Sequence, residues 1–116
     1  MSGIIMNWTH LTNETQLQDI RQESFRRRVA IFKHSTRCAI SRTVFDRLQR
    51  NWNDEEMKSM PIYYLDLLTY REISNRIASE FGVVHESPQV LVIENGEAVH
   101  DCSHLDINYN RLKDLV

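Results

Sequence analysis

Cysteine is scarce in this 116-residue chain, which has only Cys38 and Cys102. Two thiols make no disulfide framework, so a reducing, cytoplasmic compartment is expected. Glycine and proline are almost as rare, at three and two residues. Flexible linkers, low-complexity tracts and repeats are therefore missing, and residues 1–116 read as a single domain. Long apolar runs are missing too: "VLVI" at 90–93 is one of the longest, far short of a membrane span. "MSGIIMNW" has no basic flank, and its apolar stretch is too short for a secretory signal. Charge of one sign is also lacking. Fourteen Lys and Arg against sixteen Asp and Glu leave a net charge of −2, which argues against nucleic acid or a membrane surface as partner. The "FRRRV" cluster (25–29) has no interleaved aromatics and reads as a solvated turn before a strand.

What is present is an ordinary globular composition, 41% hydrophobic and 26% charged, arranged in alternating elements. "MNWTHL" (6–11) predicts a short strand. "NETQLQDIRQESF" (13–25) predicts a helix, with Asn13 and Thr15 as caps and Leu17 and Ile20 on one face. "RVAIFK" (28–33) is a β-branched and aromatic run, a buried strand. "AISRTVFDRLQRNW" (39–52) repeats Ile40, Val44, Phe45 and Leu48 at helical spacing. A polar connection (53–60) leads to a strand at 61–68, and "YREISNRIASEFG" (70–82) is a helix closed by Gly82. "QVLVIE", Asn95-Gly96 and "EAVH" form a hairpin, because Asn-Gly accepts the two positive φ angles of a type I′ turn. "DINYNRLKDLV" predicts a last short helix. Strands separated by helices are parallel and the hairpin is antiparallel, so the expected fold is α/β, a mixed four- to five-stranded sheet with helices on both faces.

Cys38 is the residue that carries chemistry. In "IFKHSTRCAIS" (31–41) it stands between a strand and a helix, where unpaired helix N–H groups and the positive end of the macrodipole favour an anion over a neutral thiol. Lys33, His34, Arg37 and Arg42 could add positive charge, and Thr36 and Ser41 could add hydroxyl donors. The bland alternative is a small buried residue that happens to start a helix.

A strand, a Cys-x-x-Ser opening a helix, and a later Ser-Pro heading a hairpin resemble the layout of thioredoxin-like proteins. "HSTRCAIS" (34–41) resembles the HSTxCPIS signature of the YtxJ-like family, the monothiol bacilliredoxins linked to bacillithiol. "SH" at 103–104 followed by Ile107 resembles that family's C-terminal element. The resemblance covers approximately residues 6–115 and departs at Ala39, where the family has proline at the first helical position.

The resemblance implies a thioredoxin-like fold and a monothiol thiol–disulfide oxidoreductase with Cys38 as nucleophile. Ser41 stands where dithiol relatives keep a resolving cysteine, and a serine cannot displace sulfur, so the reaction stops at a mixed disulfide on Cys38 until a second small thiol releases it. No cofactor is bound; a low-molecular-weight thiol, bacillithiol or similar, is the co-substrate, and S-thiolated client proteins are the partners. The resemblance also implies a cis Ser87–Pro88 bond facing the cysteine, with the backbone of Ser87 free to pair with the thiol's peptide-like part. The expected substrate-binding residues are thus Lys33, His34, Thr36, Arg37, Ser41, Ser87, Pro88, Ser103 and His104. Topology adds a reason for the last two: a strand antiparallel to 28–33 begins at the Cys38 end, and its hairpin partner finishes there. Ser103, His104 and the last helix N-terminus would then line the pocket and receive an acidic or phosphate-like group.

Other readings compete. Cys102 as a resolving thiol requires closure across two strand spacings, about 10 Å, where a disulfide needs Cα atoms within about 7 Å. His100, Cys102 and His104 would share one side of a strand, but a metal site usually needs a fourth ligand, so no metal is expected. A redox-inert adaptor or sensor would not need an activated Cys38, and a thiol peroxidase could hold peroxide through Thr36 and Cys38.

Overall fold

The structure is a computed structural model in which residues 7–116 are described; Met6, where the first expected strand begins, lies outside them. The elements follow in the order β1 (Thr9–His10), α1 (Gln16–Glu23), β2 (Val29–His34), α2 (Ala39–Asn51), α3 (Asp54–Met57), β3 (Ile62–Asp66), α4 (Arg71–Phe81), β4 (Gln89–Glu94), β5 (Glu97–Ser103), a 3₁₀ turn (His104–Asp106) and α5 (Tyr109–Lys113). The five strands form one sheet in the order β1-β3-β2-β4-β5. β3 is parallel to β1 and β2, while β2–β4 and β4–β5 are antiparallel.

Alternation along the central strands feeds two cores. Ala30 and Phe32 of β2 join Val90 and Val92 of β4 under α2, α3 and α5, which contribute Val44, Leu48, Met57, Tyr109 and Leu112. Val29 and Ile31 join Leu91 and Ile93 against α1 and α4, through Leu17, Ile20, Ile73 and Ile77. Because both faces are covered, β2 and β4 read as unbroken apolar runs instead of alternating ones.

Several boundaries differ from expectation, each for a local reason. α1 starts at Gln16 instead of Asn13, since the turn before it closes through three-residue bonds, the Gln16, Leu17 and Gln18 N–H groups donating to the Asn13, Glu14 and Thr15 carbonyls, while the Gln16 side-chain oxygen accepts from the Thr12 and Asn13 N–H groups. The polar connection at 53–60 contains a short helix, α3. Asn53 caps it by accepting from the Glu56 N–H at 3.1 Å, and Met57 and Met60 are buried. β5 runs on to Ser103, and the last expected helix divides into the 3₁₀ turn and α5. At the hairpin, Asn95 has φ 54° and Gly96 φ 78°, as a type I′ turn requires. Gly82 closes α4 in the left-handed region at φ 66°.

Candidate active site

β2 ends at His34, a turn carries the chain through Ser35, Thr36 and Arg37, and Cys38 is the N-cap of α2, at φ −96° and ψ 122°. The Cys38 N–H donates to the Ser35 carbonyl at 3.2 Å, and its own carbonyl accepts the first helical bond from Arg42 at 3.0 Å. The thiol is half-buried. It therefore stands at the front of a 13-residue helix, where the unpaired N–H groups and dipole favour negative charge. Ala39 starts the helix without the help of a proline.

The turn before Cys38 is held from beneath. Ser41 is fully buried, its hydroxyl accepts from the Ser35 N–H at 3.0 Å, and it lies 2.7 Å from His34 Nδ1. Burial pushes His34 down to about 4, although Asp66 partly opposes this, so at neutral pH the ring is uncharged. The tautomer sets which of the two donates in that hydrogen bond. The imidazole packs among Phe32, Phe45 and Tyr64, with ring centroids 4.8 to 5.8 Å away. Two sequence-based expectations change here. His34 supplies no positive charge at neutral pH, and its Nδ1 and the Ser41 hydroxyl are engaged with each other and, through Ser41, with the turn.

Lys33 requires a larger correction. Strand alternation turns it to the sheet face opposite His34, where it is wholly buried. Its ammonium donates to the Ser74 carbonyl of α4 and contacts His85 Nδ1, both at 3.3 Å, so it cannot touch a substrate. Thr36 and Arg37 do remain exposed. With Asp66, Leu68 and Thr69 they line a groove of about 390 Å³ beside the cysteine. The Asp66 carboxylate folds that wall by accepting from the Leu68 and Thr69 N–H groups and the Thr69 hydroxyl.

The strand register brings the other expected residues to the same end of the sheet. Lys33 pairs with Gln89, and Gln89 with Ser103, so the start of β4 and the finish of β5 stand beside the end of β2. The Ser87–Pro88 bond is cis. Among the described residues the buried Ser87 hydroxyl has no hydrogen-bond partner, and the Pro88 carbonyl accepts from the His104 N–H at 3.0 Å. His104 is exposed at φ 56°, with Nε2 3.3 Å from a Glu86 carboxylate oxygen. Sequence reasoning missed Glu86 and His85, which sit next to the Ser-Pro pair; Glu86 meets His104 across the β4–β5 hairpin, and His85 meets Lys33, far away in the chain, through the β2–β4 register.

Cys102 lies on β5 opposite Val90, with β4 between it and β2. It is buried in the apolar core, and burial pushes its thiol up to about 11. The alternation of His100 and Cys102 stops before His104, which lies in the 3₁₀ turn beyond the strand. Among the described residues no three His, Cys, Asp or Glu side chains cluster as a metal site would need, and no helix is long and apolar enough to cross a membrane.

Known proteins resemble this arrangement. The model of a family described as monothiol bacilliredoxin BrxC matches residues 9–112. One solved structure, described as having a thioredoxin fold and an inferred oxidoreductase role, is 31% identical, with a TM-score of 0.75 over 92% of this chain and 91% of its own. Thioredoxin of Fasciola hepatica is 17% identical, with a TM-score of 0.67 over 91% of this chain and 93% of its own. Oxidized thioredoxin O2 of Arabidopsis thaliana is 14% identical, with a TM-score of 0.68 over 97% and 94%. The last two share the fold.

Proposed function

The chain belongs to the monothiol bacilliredoxin family, whose model spans residues 9–112, and from that premise we propose that it is a thiol–disulfide oxidoreductase that lifts a small thiol from protein mixed disulfides through Cys38. The observation that carries the reading is the contrast between the two thiols. Cys38 is reachable at a helix front, while Cys102 is buried, with its thiol pushed up to about 11.

The Cys38 thiolate attacks the sulfur of the small thiol in a client's mixed disulfide. A bond forms between those two sulfurs, the bond to the client cysteine breaks, and the client leaves as a thiolate that takes up a proton. Electrons balance, since one disulfide replaces another. Ser41 is three residues on, and its hydroxyl is committed to the Ser35 N–H and the His34 ring, so no second sulfur displaces the adduct. A free small thiol attacks next, restoring Cys38 and leaving as a symmetric disulfide.

Thr36 and Arg37, on the groove beside Cys38, hold one part of the small thiol. The Ser87 backbone with Pro88 faces its peptide-like portion, and Ser103 with His104 receives its acidic end. Bacillithiol or a close relative is the co-substrate, S-thiolated proteins are the clients, and two free thiols suit the cytoplasm.

Intact mass after incubation with bacillithiol disulfide tests the reading. One adduct is expected on the wild-type chain, located on Cys38 by peptide mapping, and none on Cys38→Ser, which also loses dethiolation of a thiolated client. An adduct on Cys102, or retained dethiolation in Cys38→Ser, would refute it.

A further inference from the structure

Packing gives no reason for a charge at position 33. Val29 and Ile31 precede Lys33 on the same face of β2, and both are fully buried core. Yet the third residue of that row is a lysine with no exposure at all. Among the described residues no ion pair satisfies it. There its ammonium meets the Ser74 carbonyl and His85 Nδ1, and burial pushes it down to about 8. A buried ammonium held by two neutral acceptors costs stability that an apolar side chain of the same length would avoid.

The contact with His85 has one chemical interpretation. An ammonium has donors and no lone pair, so Nδ1 must accept and the ring carries its proton on Nε2. The Ser74 hydroxyl lies 3.4 Å from the same nitrogen. His85 is pushed down by burial, then by Lys33 and Arg71, with Glu86 opposing, so the ring stays neutral. His85 lies two residues before Ser87, in a loop that is also tied through its backbone: Gln89 donates to the Val84 carbonyl at 3.0 Å and accepts from the Glu86 N–H at 3.4 Å.

We propose that Lys33 is a positioning residue. From behind the sheet its ammonium latches the His85 ring, and so fixes the Glu86–Ser87 segment that forms one wall of the Cys38 site. Gln89 fixes the segment's height above the sheet, and Lys33 fixes its rotation. The role rests on the thiol-exchange reading for its consequence in turnover, but not for its geometry.

The test compares the wild type with Lys33→Met, which keeps chain length and removes the donor. His85→Ala, at a partly exposed position, serves should the first variant fail to fold. Nitrogen-15 NMR of the substrate-free protein should show His85 protonated on Nε2 alone. In Lys33→Met it should titrate at higher pH as a tautomer mixture, with amide exchange at Glu86 and Ser87 faster by about tenfold. With a bacillithiol-protein mixed disulfide as substrate, both variants should raise KM about five- to tenfold and leave kcat and iodoacetamide alkylation of Cys38 within twofold. A structural defect alone would lower apparent kcat with the melting temperature and speed amide exchange throughout the chain, instead of raising KM with exchange changed at Glu86 and Ser87. An unchanged His85 tautomer and unchanged exchange in Lys33→Met, or KM within twofold of wild type, would overturn the latch. Should the wild type not dethiolate at all, the thiol-exchange reading fails, and the imidazole and exchange measurements decide the latch alone.

Discussion

Replacing His34 by Phe should remove an acid-sensitive part of this protein's stability. In the folded chain the ring is buried and pushed from 6.5 down to about 4, whereas the unfolded chain protonates it normally. As pH falls from 6.5 to about 4 the unfolded state takes up a proton that the folded state refuses, so stability is full above 6.5 and falls as pH drops through that window. At about 1.36 kcal/mol per pH unit the interval corresponds to about 3 kcal/mol, a sizeable share of a domain's usual 5–15. Phenylalanine fits the ring cluster of Phe32, Phe45 and Tyr64 and leaves the Ser41 hydroxyl bonded to the Ser35 N–H. It should therefore fold with a modest uniform cost, about 1 kcal/mol, for the lost hydrogen bond between His34 and Ser41. Urea unfolding at pH 7, 5.5 and 4 measures both chains. With a slope of about 1–2 kcal/mol per molar, the wild-type midpoint should fall by about 2 M more than that of the variant, since the carboxylates common to both cancel. Equal losses would refute the reasoning, because they would mean that the buried ring protonates freely inside the fold.

Other outcomes follow from particular residues. Cys102→Ala should keep dethiolation within twofold, and Cys102 of the folded wild type should stay unlabelled by iodoacetamide at pH 8, its thiol being pushed up to about 11; loss of turnover after one cycle would make it the resolving residue. Gly96→Ala should cost about 1–2 kcal/mol by thermal unfolding, since φ is 78° and the new Cβ would sit 3.2 Å from Arg21 Nη1 and from Phe25 Cζ. Asn53→Ala should cost about 1 kcal/mol through the lost cap on α3, read as a lowered urea midpoint with unchanged dethiolation.

Local signals carried much of the fold. Asn95-Gly96 specified its hairpin because few other dipeptides accept two positive φ angles, and Gly82 ended α4 for the same reason. The apolar rows of β2 and β4 gave two central strands, since both faces are buried. α3 escaped because a four-residue helix has no periodicity to detect; its signal, Asn53 three residues before Glu56, resembles any polar loop. The start of α1 escaped because three-residue and four-residue hydrogen bonding look alike in the sequence, and residues 13–18 close through the former.

For the site, sequence alone singled out the candidate nucleophile. Cys38 between a strand and a helix, with Ser41 three positions on, defines a lone thiol at a helix front whatever the rest of the chain does. Only the tertiary structure decided what its neighbours are for. Which face Lys33 and His34 point to depends on strand alternation, so one cation is buried against α4 and His85 and one imidazole lies neutral beneath the turn. Glu86 meets His104 through the β4–β5 hairpin, and His85 meets Lys33 through the pairing of β2 with β4, which are distant in the chain. Burial, which sets charge, belongs to the packed sheet and its helices.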